Sequence, residues 1–371
     1  MMSLAQIEIQ LVAVVVAVAC ALPGTFLVLR RMSMMSDAIS HAILPGIVVG
    51  VLLLGSLHSP FLIVVAALTG LLTVGLVEAL RNTGQVKENA AIGIVFPILF
   101  SLGVILIAKF AGDMHLDTDA VLLGELAFAP FNRFTAGRWD LGPQALWIMG
   151  SVLVLNAGFL GLFYKELKLA TFDPGLAASL GFRPRTLHYG LMGLVSLTAV
   201  SAFDAVGSIL VVALMVGPPA TAYLLTERLP RMIGLSAGIG VLNALLGYWG
   251  AHWLDASIAG SMAAATGLVF GVALLIAPRR GLLAQWSRER QQKWQFAEQM
   301  LTIHLRQHED TPEAARECRI AHLQEHLGWD AGVAERVVRY ALANGTVRRQ
   351  NGHLHLTDKG RDVAQDAATR T

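Results

Sequence analysis

Residues 36–56 read SDAISHAILPGIVVGVLLLGS. From Ala42 to Gly55 no side chain is charged and apolar residues fall on every face, so apolar material must surround this segment on all sides. Just ahead of it stand Asp37 and His41, four residues apart, and within it Pro45 and Gly46, the two residue types least favoured inside a helix. Ionisable groups next to so long an apolar run cost several kcal/mol unless they face protein, water or an ion.

The remainder of the chain says what that apolar material is. Of 371 residues, 55% are hydrophobic and 15% charged, and mean hydropathy is +0.59. Such a chain is solvated by lipid. Apolar runs of roughly 17 to 25 residues, enough to cross a hydrocarbon core of about 30 Å, recur along it, and about nine are expected. They fall near residues 9–29, 38–56, 60–80, 91–111, 143–164, 187–205, 207–225, 233–253 and 260–278. The expected fold class is an all-α polytopic membrane protein with a small added α+β domain. The first run is expected to persist as a helix, since MMSLAQIEIQ lacks a basic leader and the next run follows almost at once. Division is weakest at residues 203–208, where one broken or tilted helix is the alternative to two.

Lysine and arginine concentrate in cytoplasmic loops. With the N-terminus outside, Arg30, Arg31, Arg81, Lys87, Lys165, Lys168, Arg183, Arg185, Arg228 and Arg231 lie inside, and only Lys109, Arg133 and Arg138 outside. The outer side then carries Glu8, Asp113, Asp117, Asp119, Glu125, Asp140 and Asp255, an acidic face that concentrates cations. The chain is accordingly expected in the cell's cytoplasmic membrane as a multi-pass protein, with its C-terminal part in the cytoplasm.

Composition changes at Pro278-Arg-Arg-Gly281. Residues 279–371 hold 15 of the 28 Lys and Arg, 12 of the 26 acids and six of the 11 histidines. The segments QFAEQMLTIHLRQHE, RIAHLQEHLGW and AGVAERVVRYALANG read as helices, and TVRRQNGHLHLTDKG as two alternating strands about the turn dipeptide Asn351-Gly352. Helix, helix, helix, hairpin is the order of a winged helix. The expected division is therefore a transmembrane domain, 1–283, and a cytoplasmic winged-helix-like domain, 284–371, with Leu323, Leu327, Val337, Val338 and Leu342 as its small core. His304 with His308, and His322 with His326, are spaced four apart as a metal-sensing site would need, while His353 and His355 lie on the second strand.

No P-loop motif G-x-x-x-x-G-K-[ST] and no H-E-x-x-H occurs, so ATP hydrolysis and zincin chemistry are not expected of this chain. Cys20 and Cys318 lie in unlike segments and give no disulfide framework. On a helix, Asp37 and His41 share one face about one turn apart, close enough to grip one ion between a carboxylate oxygen and an imidazole nitrogen. A break at Pro45 and Gly46 would add backbone carbonyls near the membrane middle. The competing reading makes both residues caps in the turn after Arg31. Asp204, Glu78 and His252, in or beside other apolar runs, are further candidates for an ion path. Carboxylate and imidazole suit Mn(II), Fe(II) or Zn(II), and the lack of thiolate argues against Cu(I).

RRMSMMSDAISHAILPGIVVG resembles the early segment of permeases from zinc, manganese and iron ABC uptake systems, and the likeness continues in order at YKELKLATFDPGLAASLGF, AVGSILVVALMVGPPATAYLLTERL and APRRGLL, covering residues 5–283. Ser36 stands where glycine is usual, and HLDTDAVLLGELAF is an imperfect form of the outer-loop pattern. The resemblance implies a homodimer in the membrane, two copies of a separate ABC ATPase below, and an extracytoplasmic metal-binding protein above. It places Asp37 and His41 on the metal path and assigns the loop at Phe172, Asp173, Pro174, Leu176 and Leu180 to ATPase coupling. That loop reads as a short helix, with Asp173 as N-cap, Pro174 at the first position and Gly181 at its end. The form PPATAYLLTERL resembles the manganese and iron branch. The function expected is thus the permease subunit of an ATP-driven importer of a divalent transition metal, manganese ahead of iron or zinc, with no permanently bound cofactor. The alternative is a membrane-anchored regulator whose tail meets DNA phosphates through Arg348, Arg349, Lys359 and Arg361; the tail's net charge of only +3 makes nucleic acid an unlikely partner.

Overall fold

The computed structural model describes residues 3–54, 60–110, 126–136, 139–309, 311, 312, 318–320, 322, 323, 327–350 and 352–369. Asp113, Asp117, Asp119, Glu125, Arg138, His326 and Asn351, and residues 115–125 of the outer-loop pattern, lie outside them. The chain divides into two compact units, Met1–Gly281 and Leu282–Thr371.

Among the described residues the first unit contains nine helical spans long and apolar enough to cross a membrane. They are α1 (Leu4–Leu29), the broken pair α2 (Met34–Ala42) and α3 (Leu44–Leu54), α4 (Pro60–Asn82), α5 (Glu88–Phe110), α6 (Gln144–Leu162), α9 (Pro184–Val206), α10 (Ser208–Leu225), α11 (Leu229–Leu254) and α12 (Ile258–Ile276). Between α6 and α9 lie the short α7 (Tyr164–Phe172) and α8 (Pro174–Ser179). Helix α1 occupies the centre, against α6, α9, α10 and α11, and its Phe26 and Leu27 are fully buried with Met35, Ile39, Leu191 and Leu214. Several hydroxyl side chains inside the bundle are satisfied on their own helices: Thr25 donates to Ala21 O, Thr198 to Leu194 O, Ser236 to Met232 O and Thr266 to Met262 O. In a solvent without hydrogen bonds that is the cheapest way to bury them.

The doubtful stretch at 203–208 resolves into two helices. Gly207 sits between them at φ 79° and ψ 165°, a conformation open essentially only to glycine.

Side-chain bonds check the alternation of loops. At one end, Arg133 makes two hydrogen bonds of 3.1 Å to Glu8, near the start of α1, and one of 2.6 Å to Asp140. Arg133 and Asp140 belong to an antiparallel hairpin, β1 (Arg133–Ala136) and β2 (Trp139–Pro143), that the sequence does not announce. The Arg133 guanidinium, followed by the Gly142 N–H, holds the Asp140 carboxyl below the usual carboxylate range. At the other end, Arg30 after α1 bonds to Thr171 on α7 and His188 on α9.

Among its described residues the second unit contains α13 (Leu282–His308), α14 (Ala331–Asn344), the antiparallel hairpin β3 (Val347–Gln350) and β4 (His353–Leu356), and α15 (Asp358–Thr369). Its core joins Leu301, Leu305, Leu323, Val337, Val338 and Leu354, with Leu327 packed at its edge. Leu342 is the correction: it is 37% exposed, and Ala341 takes the inward place. The inward stripe of α14 runs Ala334, Val337, Val338, Ala341, one residue earlier than hydrophobicity alone selects. Helix α15 was not expected, nor was the single long run of α13.

Candidate functional site

Helix α2 buries most of its surface, so its few open positions stand out. Met34, Asp37 and His41, continued by Leu44 at the start of α3, form one stripe that the rest of the chain covers only in part, while Met35, Ser36, Ala38, Ile39, Ser40 and Ala42 are buried. The side chains of His41 and Asp37 are 31% and 44% exposed, and His41 Nε2 lies 3.5 Å from Asp37 Oδ1. The aromatic rings of Phe96 and Phe100 on α5 flank the imidazole, at 5.7 and 6.4 Å between centroids. One ion bonded to both atoms at about 2.1 Å with a tetrahedral angle would hold them about 3.4 Å apart. The 3.5 Å spacing fits one ion held between the two atoms and equally a direct i, i+4 ion pair.

Helix α2 ends at Ala42 and α3 begins at Leu44. Ile43 between them still donates to Ile39 O at 3.2 Å and accepts from Ile47 N at 3.0 Å. The interruption comes with Pro45, whose missing N–H cannot bond back to His41. At 1.5 Å per residue, His41 lies roughly 10 Å into the span and the break near its middle. Gly46 serves packing: a Cβ there would overlap Thr69 on α4.

The other candidates do not join this pair. Among the described residues no group of three or more His, Cys, Asp and Glu is placed to hold a metal. Glu78 is buried near the end of α4, 2.6 Å from His188 Nε2. Asp204 is exposed three residues before Gly207. His252 is exposed at the end of α11, edge-on to Trp249, on the rim of a cavity of about 310 Å³ that Ile9, Phe128, Tyr248 and Ile258 also line. In the second unit, too, the histidines form no such group among the described residues. A hydrolase-like G-x-S-x-G spacing occurs at Gly234–Gly238, but Ser236 is fully buried in mid-helix, donating to Met232 O at 2.7 Å, where it cannot meet a substrate.

The loop between α6 and α9 has the cap chemistry its sequence encodes. Asp173 Oδ1 accepts from Leu176 N at 2.9 Å, Pro174 opens α8, and Gly181 closes it at φ 85°. Phe172, Leu176 and Leu180 are 60%, 46% and 60% exposed on this segment. Beside it lies a groove of about 520 Å³ lined by Lys168, Phe172, Glu227, Arg228, Leu229, Pro230 and Arg231.

What the sequence did not reveal is the cluster around His188. His188 and Glu78 are 110 positions apart in the chain, and each alone reads as a polar residue at a helix end; their shared side of the membrane was the one available hint.

Curated proteins similar to this chain are named as membrane proteins of metal transport systems. The chain is 48% identical over 358 residues to a zinc transport system membrane protein, TroD, of Treponema pallidum, covering 96% of this chain and 97% of that protein. It is 49% identical over 272 residues to a manganese transport system membrane protein, MntD, of Bacillus subtilis, covering 73% and 92%. The solved structure of PsaBC from Streptococcus pneumoniae in complex with Fab superposes with a TM-score of 0.61 at 30% identity, covering 74% of this chain and 92% of that one. Residues 5–277 match the ABC 3 transport family, and the chain belongs to that family.

Proposed function

We propose that this chain is the permease subunit of an ATP-driven importer for a divalent transition metal, with manganese as the cargo ahead of iron and zinc. Two copies form the path, a separate ABC ATPase supplies hydrolysis, and an extracytoplasmic binding protein delivers the ion. The N-terminus and the β1–β2 hairpin face outward; the coupling segment and residues 284–371 face the cytoplasm. The last act as a winged-helix-like regulatory or assembly module.

The observation that carries the reading is the half-exposed Asp37–His41 grip on a broken membrane helix. A carboxylate left open on a span is costly against lipid, so it must face water, an ion or a second copy. One protomer offers two donors where a metal takes four or more, and a two-fold partner would double them. Oxygen and imidazole donors without thiolate suit manganese and iron, and imidazole also suits zinc. Curated relatives carry both zinc and manganese in their names. Phe172, Asp173, Pro174, Leu176 and Leu180 dock the ATPase, because a capped helix with exposed leucines beside a groove is shaped to enter or receive a partner.

The regulator alternative lacks comparable support. The exposed face of α14 mixes Glu335 with Arg336 and Arg339, and Arg336 lies 5.7 Å from the Trp294 ring centre.

The test is uptake of radiolabelled Mn(II), Fe(II) and Zn(II) into proteoliposomes holding this chain with its ATPase and binding protein. Asp37→Asn and His41→Ala are expected to abolish uptake while the complex still assembles and binds ATP. Wild-type uptake by either variant would show that residue to be a helix cap, and the ion site would have to be elsewhere.

A further inference from the structure

The end of the bundle that carries the coupling segment encloses a buried chain of polar contacts with no place in the metal grip. His188 is its centre. Its Nδ1 lies 3.1 Å from Arg30 Nη1 and its Nε2 2.6 Å from Glu78 Oε1, with the His188 and Glu78 side chains 15% and 11% exposed. Guanidinium can only donate, so Nδ1 accepts and Nε2 carries the ring proton. Nε2 stands in ion-pair contact with the Glu78 carboxylate, without the alignment of a hydrogen bond in this conformation. The ring thus stands between arginine and carboxylate, hydrogen-bonded to the first and in contact with the second.

Both ends of the link reach elements with work to do. Arg30 Nε donates to Thr171 Oγ1 at 3.1 Å, and Thr171 directly precedes Phe172 and Asp173. Arg30 is also the first residue past α1. Arg31 N bonds to Val28 O and Met32 N to Leu27 O, with Arg31 at φ 61°, so a tight bonded turn leads from Arg30 into α2 and Asp37. From Glu78 the chain passes to Arg81 Nη2 at 3.9 Å, and Arg81 Nη1 meets Glu88 Oε2 at 3.2 Å. Glu88 is the first residue of α5, the helix whose Phe96 and Phe100 flank His41. Helix α5 is therefore tied at its start, through the half-exposed Arg81, and α2 through the tight turn after Arg30, to one partly buried network that also holds the coupling segment. Arg30 Nη2 is buried with no partner in this conformation, and such an unsatisfied donor has an acceptor to gain when the segment moves.

The geometry points to Arg30, His188 and Glu78 as positioning residues that transmit displacement of the coupling segment to α2 and α5. The inference rests on the assignment of 172–180 to ATPase docking, and its test separates the two.

In proteoliposomes with the ATPase and binding protein, Mn(II) transported per ATP hydrolysed is the readout. A structural staple would leave that ratio unchanged. His188→Leu is expected to keep ATPase copurification and basal hydrolysis, while the ratio falls about tenfold, the scale of one lost hydrogen bond to a charged group. His188→Gln, whose amide can accept from Arg30 and donate to Glu78, should recover most of the wild-type ratio. Thr171→Val, nearly isosteric, should lower the ratio in part and carries the test if His188→Leu fails to assemble. A wild-type ratio in the leucine variant, or a glutamine variant as defective as leucine, overturns the relay; so does a wild-type ratio in Thr171→Val where leucine does not assemble. Leu176→Asp is the separating control. If it still copurifies with the ATPase and transports normally, the docking assignment falls and takes the relay with it. If it detaches the ATPase while His188→Leu keeps a wild-type ratio, the relay alone falls.

Discussion

Asn156 is fully buried on α6, where its Nδ2 donates to Ala19 O on α1 at 3.0 Å and to Thr198 Oγ1 on α9 at 2.9 Å. A polar side chain that bridges three helices inside a bilayer is worth about 1 kcal/mol in hydrogen bonds, and truncation adds a cavity. Asn156→Ala is expected to lower stability in detergent by about 2 kcal/mol, and Thr198→Val, which removes one acceptor, by about 1 kcal/mol. Equilibrium unfolding of the two variants checks the order; a neutral Asn156→Ala would mean the bridge is incidental. At this scale the sequence is uneven evidence. Asp37 and His41 are legible because their i, i+4 spacing states their geometry outright. Asn156, His188 and Glu78 are not, since what defines each is a partner 42 to 137 residues away.

Helices of this chain read clearly because lipid removes ambiguity: a long apolar run must satisfy its own backbone and can do so only as a helix. The β1–β2 hairpin is illegible for the opposite reason, being four and five residues long and clamped by Glu8 from 125 positions away. Leu342 misleads because Gly345 ends α14 one residue past Asn344, and a leucine so near the end can point outward. Gly207 marks where sequence leaves two outcomes and backbone strain selects one. Gly207→Ala is expected to destabilise the α9–α10 joint by about 1–3 kcal/mol, since an added Cβ makes that backbone region unfavourable. At α8, the proposed coupling helix, Asp173→Ala removes the cap on Leu176 N and should cost about 1 kcal/mol locally. Reduced ATPase copurification with unchanged global unfolding is the expected result there; a lowered global midpoint would instead place α8 in the main cooperative core.

At the scale of the whole molecule, the proposed Asp37–His41 metal site carries a numerical expectation about assembly. The described residues of one protomer supply only Asp37 and His41, both on a stripe that the protomer leaves partly open. If two copies close one shared path there, a subunit carrying Asp37→Asn and His41→Ala disables every dimer it enters. Random pairing of equal amounts of intact and altered subunits leaves about one quarter of dimers fully intact, whereas independent protomers would retain about one half of the activity. Coexpression of two differently tagged forms, with uptake normalised to total permease, distinguishes these values. Uptake near one quarter, with mixed dimers recovered by tandem purification, is the expected outcome. Uptake near one half, with mixed dimers equally abundant, would mean that each protomer carries its own ion and that the open stripe on α2 faces water within a single chain.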